Sequence, residues 1–527
     1  MELTLKDKYL NLPVTNGAEM RRVKLIIDGR TARQFDIELA EGPPDFWVFM
    51  DITAFNGRAA TLEVDPPECA AALAAVTQSD TITGAEDLYA EKYRPQFHFS
   101  SRRGWNNDPN GLVFYDGEYH LFYQHNPYGR GWGNMHWGHA VSRDLVHWTE
   151  LPVAIYPDEL GTIFSGSAAV DETNTTGFQT GEDKPLVAAY TYAGPTFTQG
   201  IAYSNDRGRT WTKFDGNPVL PNITGGGDRD PRIGWHAGTN QWVIALFLDD
   251  PKNKRIGFFT SPDLKTWTQV SEGPAFFECP DLFELPVDGD AGNKRWVVYG
   301  GAGDYHVGHF DGEHFTPDQD HLPLSRGNCF YAAQTFSNIP AADGRRIQIG
   351  WGQADPVGMP FNQMMLFPCE LTLRTTDDGV RMFAQPVAEI DKLHGKPRAW
   401  RGLAVGEGDN PLSDISGDLF DIRAEIAPGD ARKVAINVRG VAIECDLKQR
   451  TLSCLDKAAP LPLTDGAIRL QVLVDRTTIE IFAGDGQVYM PMSVLPADED
   501  RSLALSVAGG TATVNNLEVF ELQSAWK

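Results

Sequence analysis

Basic residues are scarce in this chain, which has 46 Lys and Arg against 71 Asp and Glu and a formal net charge of −25. A surface with this excess of negative charge repels nucleic-acid phosphates and anionic lipid. The charge balance therefore excludes nucleic acid as a partner and favours a neutral one, such as a sugar. The composition, with 42% hydrophobic and only 22% charged residues, is that of a globular chain with large buried cores.

Long apolar runs are also missing. No stretch approaches the roughly 20 residues that a membrane-spanning helix requires, so we expect no membrane association. The first residues, Met1-Glu2-Leu3-Thr4-Leu5-Lys6, lack the basic start and apolar run of a signal peptide. As written, the chain is expected to be cytoplasmic. A chain from which a signal had been removed would look the same, and it would be secreted or periplasmic.

Cysteine is rare, and the six residues are scattered along the chain at Cys69, Cys279, Cys329, Cys369, Cys445 and Cys454. No Cys-x-x-Cys pair and no Cys/His cluster has the spacing of metal ligands, and His125, His136 and His139 are interpreted as structural. We therefore predict no metal site. Cys445 and Cys454 can face each other across a hairpin, which leaves a disulfide open, but free thiols are the favoured prediction.

The length of 527 residues exceeds that of one ordinary core, so several domains are expected. In the middle of the chain a strand is followed repeatedly by a Ser-x-Asp turn that closes on Trp. The copies are Ser142-Arg143-Asp144 to Trp148, Ser204-Asn205-Asp206 to Trp211 and Ser261-Pro262-Asp263 to Trp267. Short strands repeating at about 55 to 60 residues predict a β-propeller. An ordinary β-sandwich with chance placement of the tryptophans is the alternative.

Both ends of the chain are interpreted as further β domains around a propeller at 91–395. Alternating apolar residues in 396–527 predict a C-terminal β-sandwich, in which Glu480 is expected to face water and is therefore rejected as a catalytic acid. Residues 1–90 alternate in the same way and predict a small N-terminal β domain. This accessory domain can bind carbohydrate through aromatics such as Trp47, pack against the propeller, or join copies in a homo-oligomer.

Three acidic residues stand in short segments rich in turn residues. Asp108 lies in Trp105-Asn106-Asn107-Asp108-Pro109-Asn110-Gly111, Asp230 in Asp228-Arg229-Asp230-Pro231, and Glu278 in Phe277-Glu278-Cys279-Pro280-Asp281. Taken alone, Asp-Pro-Asn-Gly is ordinary turn chemistry. The intervals between the acids are near two repeats and one repeat, however, so the inner strands of different blades can bring them to one axial pocket.

In this order the three segments resemble glycoside hydrolase family 32, the invertases, inulinases and levanases. The resemblance also covers Tyr123-Gln124-His125-Asn126-Pro127, Trp137-Gly138-His139-Ala140, Phe164-Ser165-Gly166-Ser167 and Tyr331-Ala332-Ala333-Gln334. It runs from about residue 94 to the C-terminus and leaves the N-terminal domain outside. It implies an all-β chain with a five-bladed β-propeller as the catalytic domain and a C-terminal β-sandwich.

The resemblance implies a role for each acid. Asp108 is the nucleophile that attacks the anomeric carbon of a β-fructofuranosyl unit, Glu278 is the general acid that then becomes the base, and Asp230 holds ring hydroxyls. In such a retaining hydrolase the two working carboxyls are expected about 5 to 5.5 Å apart. Carboxylates alone can perform this chemistry, so no cofactor is expected.

Other matched positions are expected to shape the sugar pocket. Polar side chains supply the donors and acceptors that a polyol needs, a forked guanidinium binds hydroxyls or fixes carboxylates, and aromatic rings offer flat apolar faces. The candidates are Trp105, Asn107, Gln124, Trp132, Phe164, Ser165 and Arg229. For Trp105 and Trp132 a place in the core is the alternative.

The segment from Tyr156 to Ser167 resembles exo-acting microbial inulinases and levanases more than plant invertases. We therefore expect release of terminal fructose from levan, inulin or fructooligosaccharides, with sucrose also cleaved. A sucrose-preferring invertase and a fructosyltransferase stay open, because they differ only in what occupies the leaving-group and acceptor sites. A fructan-binding protein without catalysis is disfavoured by the presence of all three acids.

Overall fold

The computed structural model describes residues 1–497 and 499–526 of the chain. In this part of the chain nearly all regular structure is β, which confirms the predicted all-β class. Three short 3₁₀ turns interrupt the strands, at Thr53–Phe55, Pro67–Ala75 and Ala388–Leu393. Among the same residues, no helix combines the length and the apolar character needed to cross a membrane.

The N-terminal domain consists of two small sheets packed on one core. Its strands are β1 Glu2–Thr4, β2 Tyr9–Val14, β3 Arg21–Ile27, β4 Arg30–Ile37, β5 Phe46–Asp51, β6 Ala59–Asp65 and β7 Thr77–Ser79. One sheet has the order β1-β6-β3-β4 and the other the order β5-β2-β7. The strand β4 therefore lies at an edge of its sheet, where its outer backbone groups need partners from elsewhere.

The alternation in this domain predicts most of its buried face. Val23, Leu25 and Ile27 of β3 are buried as their period of two requires. In β5 the buried residues are Val48 and Met50, whereas Trp47 and Phe49 are half-buried. Both alternating sets of β5 are apolar, so the sequence pattern leaves open which of them faces the core.

The central region contains four-stranded antiparallel units that follow one another along the chain. The first has β8 Gly104–Tyr115, β9 Glu118–Asn126, β10 His136–Ser142 and β11 Trp148–Ile155. The second has β12 Thr162–Val170, β13 Leu186–Ala193, β14 Phe197–Ser204 and β15 Thr212–Lys213. The third has β16 Arg229–His236, β17 Gln241–Leu248, β18 Arg255–Ser261 and β19 Thr268–Glu272.

The last units of the propeller share one larger sheet. Their strands are β20 Asp281–Val287, β21 Asp290–Tyr299, β22 Asp304–Phe310, β23 Phe315–Pro317, β24 Leu322–Pro323, β25 Phe330–Thr335, β26 Arg346–Gly352, β28 Met364–Met365, β29 Cys369–Thr376 and β30 Gly379–Pro386. The short strand β27 Phe361–Asn362 instead pairs in parallel with β8 of the first unit. The pair Val287–Leu373 joins β20 to β29 in a ten-stranded sheet. The number of five separate blades therefore stays a prediction.

The inner strands of the units meet in the centre of the propeller. Strand β8 contacts β12 and β25, β12 contacts β16, and β16 contacts β20. Each of these is the first strand of its unit, so residues far apart in sequence are brought together there.

The repeated Ser-x-Asp turn joins the last two strands in each of the first three units. Its Ser hydroxyl accepts the backbone N–H of the Asp at 3.1 to 3.3 Å. The indole Nε1 of Trp148, Trp211 and Trp267 donates to the carbonyl three residues earlier at 3.0 to 3.1 Å. The repeat therefore has a structural role, because each Trp side chain donates a hydrogen bond to a backbone carbonyl of its own turn.

The C-terminal domain is a sandwich of two antiparallel sheets, as predicted. Its strands are β31 Arg398–Val405, β32 Phe420–Ala427, β33 Lys433–Val438, β34 Val441–Asp446, β35 Thr451–Cys454, β36 Lys457–Pro460, β37 Ile468–Val474, β38 Thr478–Ala483, β39 Val488–Ser493, β40 Leu503–Ala508 and β41 Ala512–Glu521. The sheet orders are β31-β41-β32-β37-β38-β39 and β36-β35-β34-β33-β40.

Cys445 and Cys454 are free thiols, in agreement with the favoured prediction. They stand in the hairpin of β34 and β35, where Cys445 is opposite Leu452 and Cys454 is opposite Ile443. The register therefore offsets the two thiols by two positions, and both are buried in the core of the sandwich.

The interface between propeller and sandwich contains a buried charged cluster around His98. The ring Nδ1 of His98 lies 2.8 Å from Oδ2 of Asp475, and its Nε2 lies 2.6 Å from Oε1 of Glu480. The hydroxyl of Tyr489 donates to the second carboxylate oxygen of Glu480. Glu480 is thus fully buried, and the prediction that it faces water was wrong. Its alternation is interrupted because a second domain covers that face of β38.

Replacing His98 with Gln is expected to lower the free energy of unfolding by about 3 to 5 kcal/mol, because two carboxylates then stay buried without a cation. Burial alone would lower the pKa of His98, but the hydrogen bonds and charges of Asp475 and Glu480 raise it to about 9. The folded value lies above the unfolded one near 6.5, so the stabilisation is complete below about pH 6.5 and is lost as pH rises through 9. Thermal unfolding at about pH 6 and about pH 9.5 measures the difference, which should narrow at the higher pH.

His147→Gln is the matched control for this prediction. His147 is exposed and pairs with Asp144 on the propeller surface, so its loss is expected to change the melting temperature little. An equal loss of stability by His98→Gln at both pH values would contradict a charged imidazolium.

Candidate active site

The three acids stand at or just before the first strands of three different propeller units. Asp108 lies in β8, Asp230 in β16, and Glu278 in the segment that leads into β20. The register of β8 against β9 shifts between Asn106 and Pro109, and that of β16 against β17 shifts across Asp230. Such bulges turn side chains out of the regular ladder. The turn residues noted in the sequence thus serve to aim two carboxylates.

Cys279 connects the carboxylates of Asp108 and Asp230. Its Sγ is 3.5 Å from Oδ2 of Asp108 and 3.5 Å from Oδ2 of Asp230. Its backbone N–H also donates to Oδ2 of Asp230 at 3.0 Å. All three residues line one small pocket together with Ser165. Glu278 immediately precedes Cys279, so acids from three units converge at this point.

The backbone around the acids is strained. Asp230, Glu278 and Cys279 have φ angles of 65°, 39° and 48°, in the left-handed region that non-glycine residues rarely adopt. Each such conformation costs on the order of 1 kcal/mol or more and persists only where surrounding contacts hold it. The hydrogen bond from the Cys279 backbone to Asp230 is one of these contacts. Strain concentrated at converging carboxylates marks a functional site.

The carboxylate of Asp108 is held on both oxygens. The Ser165 hydroxyl donates to Oδ2 at 2.6 Å, and the Asn107 amide Nδ2 donates to Oδ1 at 2.9 Å. The indole Nε1 of Trp105 in turn donates to Oδ1 of Asn107 at 2.8 Å. These bonds fix the orientation of Asp108 and favour its ionised form, which a nucleophile requires.

Glu278 is held by a guanidinium and a phenol. Arg229 donates through Nε and Nη2 to Oε2 at 2.9 and 2.6 Å, and the Tyr331 hydroxyl donates to Oε1 at 2.7 Å. Arg229 also reaches Asp249 at 3.3 Å. Of the two roles predicted for Arg229, contact with sugar hydroxyls and fixation of carboxylates, the structure thus places it in the second.

Burial and neighbouring negative charge shift Asp230 and Asp108 toward protonation. Burial raises the pKa of Asp230 to about 7, and the charges of Glu278 and Asp108 add to this against the opposing charge of Arg229. Burial likewise raises the pKa of Asp108, although the hydrogen bonds from Ser165 and Asn107 oppose it. The cluster can therefore carry a proton near neutral pH, as acid–base chemistry requires.

Asp230→Asn is expected to stabilise the fold while it impairs sugar binding. Because the pKa of Asp230 rises from near 4 in the unfolded chain to about 7 in the folded one, its ionisation costs stability as pH rises between these values. The gain in Asp230→Asn should therefore increase from about pH 4 to about pH 7, reach about 2 to 4 kcal/mol, and then stay level. Calorimetric unfolding across this range measures it.

Asp249→Asn provides a control of opposite sign. Although burial raises the pKa of Asp249, bonds with Lys254 and the charge of Arg229 lower it overall, so this carboxylate stabilises the fold when ionised. If Asp230→Asn were less stable than the parent protein at neutral pH, the ionised Asp230 carboxylate would not be destabilising, which would contradict the prediction.

The remaining predicted sugar contacts surround the acids to different degrees. Gln124 is buried and donates from Nε2 to the carbonyl of Ile163 at 3.0 Å, next to Phe164. Trp105 is half-buried and packs edge-to-face on Trp351 with centroids 6.0 Å apart. Gln124 and Trp105 are thus placed in the wall of the site, and their contact with sugar stays a prediction.

Trp132 and Phe164 form an aromatic edge beside Ser165. Trp132 is 59% exposed, which excludes the alternative of a core residue. Its ring meets Phe164 edge-to-face with centroids 5.8 Å apart, and Phe164 meets Phe197 at 5.5 Å. Phe164 is the neighbour of Ser165, which binds Asp108. The exposed indole of Trp132, packed on Phe164, is therefore available to a ligand at the edge of the site.

Tyr331 and Cys279 are site residues that sequence reasoning missed as such. Both belong to segments that carried the family resemblance, Tyr331 in Tyr-Ala-Ala-Gln and Cys279 in Glu-Cys-Pro. Burial, followed by the charge of Glu278, raises the pKa of Tyr331, which keeps its hydroxyl protonated as a donor. Their position in motifs shared with the family is the sequence feature from which both residues could have been predicted.

One cluster outside the site has the spacing of metal ligands among the described residues, namely Asp391, His394 and Asp421. Arg423 donates to Asp391 at 2.6 Å and to Asp421 at 2.8 Å, so a cation already balances these carboxylates. The expected absence of a metal site stays a prediction.

Comparison with known proteins assigns the two larger domains. A family model described as the glycosyl hydrolases family 32 N-terminal domain matches residues 98–386, and one described as the family 32 C-terminal domain matches 389–521. Residues 1–97 match a model described only as a domain of unknown function.

Relatives of known activity cover most of the chain. It is 42% identical over 488 residues to a levanase of Bacillus subtilis, which covers 83% of this chain and 72% of the relative. It is 32% identical over 523 residues to an extracellular exo-inulinase of Aspergillus ficuum, covering 83% of this chain and 96% of the relative.

Solved structures show the same architecture. The crystal structure of an exo-inulinase from Aspergillus awamori matches with a TM-score of 0.75 at 30% identity, covering 83% of this chain and 100% of that one. A fructofuranosidase from Schwanniomyces occidentalis complexed with fructosylnystose matches with a TM-score of 0.75 at 28% identity, covering 82% and 98%. With both family models matched in order and the three acids converging in the first of the two domains, the chain belongs to glycoside hydrolase family 32.

Proposed function

We propose that this enzyme is a retaining exo-β-fructosidase that releases terminal β-D-fructofuranosyl units from levan, inulin and fructooligosaccharides, and that it also cleaves sucrose. The observation that carries this proposal is the convergence of Asp108, Asp230 and Glu278 at Cys279. The levanase and exo-inulinase relatives support fructans as the substrate class.

In the first step, Asp108 attacks the anomeric C2 of the bound fructosyl unit, and the bond from C2 to the glycosidic oxygen breaks. Glu278 gives its proton to the departing oxygen, so the leaving group departs as a neutral alcohol. Glu278 must therefore carry a proton when substrate binds. The Tyr331 hydroxyl can rotate and accept that proton's hydrogen bond, whereas Arg229 is a donor at every orientation.

In the second step, Glu278 as carboxylate removes a proton from water, whose oxygen attacks C2 and releases Asp108. Arg229 and Tyr331 hold the carboxylate of Glu278 in position for this step. Asp230 binds ring hydroxyls of the fructosyl unit. Two displacements at C2 retain the configuration of the fructosyl unit.

A time course of products from equal concentrations of sucrose, inulin and levan tests the proposal. Free fructose as the sole early product of the polymers is expected from an exo-hydrolase, and the relative rates give the preference between β-2,1 and β-2,6 linkages. Early oligosaccharides from the polymers would contradict exo-action. Activity on sucrose alone, or growth of fructosyl chains, would support an invertase or a fructosyltransferase instead.

A homo-oligomer formed through the N-terminal domain is a further proposal, which the presence of this additional domain supports. Light scattering coupled to size exclusion measures the mass in solution. A mass near the 58.2 kDa of one chain would contradict it.

A further inference from the structure

The loop that carries Trp132 lies between the propeller and the N-terminal domain. We call residues 127–135, which connect β9 to β10, the Trp132 loop. Asn134 of this loop has a φ of 46°, and Trp132 is 59% exposed. A loop with left-handed backbone and an exposed aromatic tip needs external contacts to keep one position.

Arg130 ties the loop to Pro356 of the propeller, and the N-terminal domain supplies further contacts through its edge strand. Asn134 Oδ1 accepts the backbone N–H of Asp36 at 2.8 Å, and Asn134 Nδ2 donates to the carbonyl of Asp36 at 2.6 Å. The side-chain amide thus pairs with both backbone groups of one residue of β4, as a neighbouring strand would. Asn134 Nδ2 also reaches Oδ1 of Asn126 at 3.1 Å, which links the contact to the base of the loop.

A buried aromatic contact also joins the Trp132 loop to the N-terminal domain. The ring of Tyr128, at the start of the Trp132 loop, stacks on Phe35 of β4 with centroids 3.8 Å apart and planes at 19°. Both rings are 2% exposed, and Tyr128 belongs to the hydrophobic core of the N-terminal domain. Nearby, the guanidinium of Arg33 lies over Tyr156 at 3.7 Å. The loop is therefore built into the N-terminal domain at both of its ends.

From these contacts we infer that the N-terminal domain is a positioning part of the sugar site, which fixes Trp132 against Phe164 and thereby sets the affinity for the fructosyl chain. The family 32 models begin only at residue 98, so the residues of the N-terminal domain that hold the Trp132 loop lie outside the matched family domains. Asn134 and Phe35 are positioning residues that act through Trp132 and touch no substrate. The inference rests on the proposed function.

Asn134→Gly and Phe35→Leu test it. Glycine removes both hydrogen bonds to Asp36 and adopts the φ of 46° without cost, and leucine removes the stack while it keeps an apolar side chain. Without these contacts the indole must be ordered when the fructosyl chain binds, which weakens binding. We therefore expect KM for levan and inulin to rise roughly three- to tenfold, with kcat changed less than about twofold.

A double-mutant cycle separates positioning from general stability. In a Trp132→Ala background, Asn134→Gly is expected to cause no further rise in KM, because its effect passes through the indole. Leu62→Ala is the control. Leu62 is buried in the same core on strand β6, so its truncation destabilises the N-terminal domain without touching the Trp132 loop directly. It should lower the melting temperature and leave KM unchanged.

The outcomes are distinct. A KM that stays unchanged in Asn134→Gly, an equal rise in Leu62→Ala, or additive effects with Trp132→Ala would each overturn the positioning role. An unmutated protein that releases no fructose from sucrose, inulin or levan would instead overturn the proposed function.

Discussion

Asp108→Asn is expected to lower kcat for fructose release by about 10⁴-fold or more while the fold stays intact. Asparagine has nearly the same shape as aspartate, and its single amide oxygen can still accept the hydrogen bond from Ser165. It cannot form the covalent bond to C2, because an amide is a poor nucleophile. KM should change much less, since the sugar still meets Asp230 and the walls of the pocket.

Initial rates on sucrose and on levan, together with thermal unfolding of each protein, measure this effect. Glu284→Gln is the control for loss of one negative charge on the propeller, because Glu284 pairs with Lys294 away from the acids and should keep full activity. Ser165→Ala, which removes one hydrogen bond to the nucleophile, should lose roughly tenfold. Substantial fructose release by Asp108→Asn would rule out Asp108 as the nucleophile.

The convergence of the acids was predictable because it rests on local chemistry and on repetition. Turn residues around Asp108 and Asp230 coincide with bulges, and the propeller places first strands side by side. Asp228 shows the limit of such reasoning. It lies two residues from Asp230 and is fully buried, but its carboxylate accepts the backbone N–H groups of Ile223, Thr224 and Asp249. One acid organises a turn and the other enters the pocket.

What the sequence could not predict depends on surfaces that meet in three dimensions. Glu480 follows a period of two that is typical of an exposed position, and it is buried because His98 and Phe367 of the propeller pack against it. Likewise, nothing in the sequence around Tyr128 shows that its ring packs in the core of the N-terminal domain, against Phe35. Such positions obey local rules and acquire their roles from a partner that is distant in sequence.

Arg229 illustrates an intermediate case. Its neighbourhood with Asp230 in sequence suggested contact with a carboxylate, but the carboxylate that it binds most closely is Glu278, from another unit. The ion pair with Asp230 is longer, at 3.8 Å. Burial would lower the pKa of Arg229, and the charges of Asp230 and Glu278 raise it instead, so the guanidinium stays charged throughout the reaction. Its constant charge keeps a cation beside Glu278 and Asp230 in both steps.

Glu278→Gln is expected to lower kcat/KM for sucrose and fructans by about 10²- to 10⁴-fold, because no group then protonates the leaving oxygen. The loss should depend on the leaving group. A β-fructofuranosyl fluoride releases fluoride without a proton, so the first turnover on it should proceed at nearly the parent rate. The second step then stalls, since water has lost its general base. A burst of about one fluoride per enzyme followed by slow turnover is therefore expected.

Fluoride release and the intact mass of the protein measure both steps. During the burst, the mass of Glu278→Gln should increase by one fructosyl unit, and peptide mapping should place the addition on Asp108. Azide needs no general base, so it should restore turnover in this variant and yield a fructosyl azide. Asp230→Asn is the matched comparison, because loss of a sugar-binding carboxylate should slow sucrose and the fluoride alike. If Glu278→Gln also lost activity equally on both substrates, with no burst and no rescue by azide, the acid–base role would have to pass to another residue.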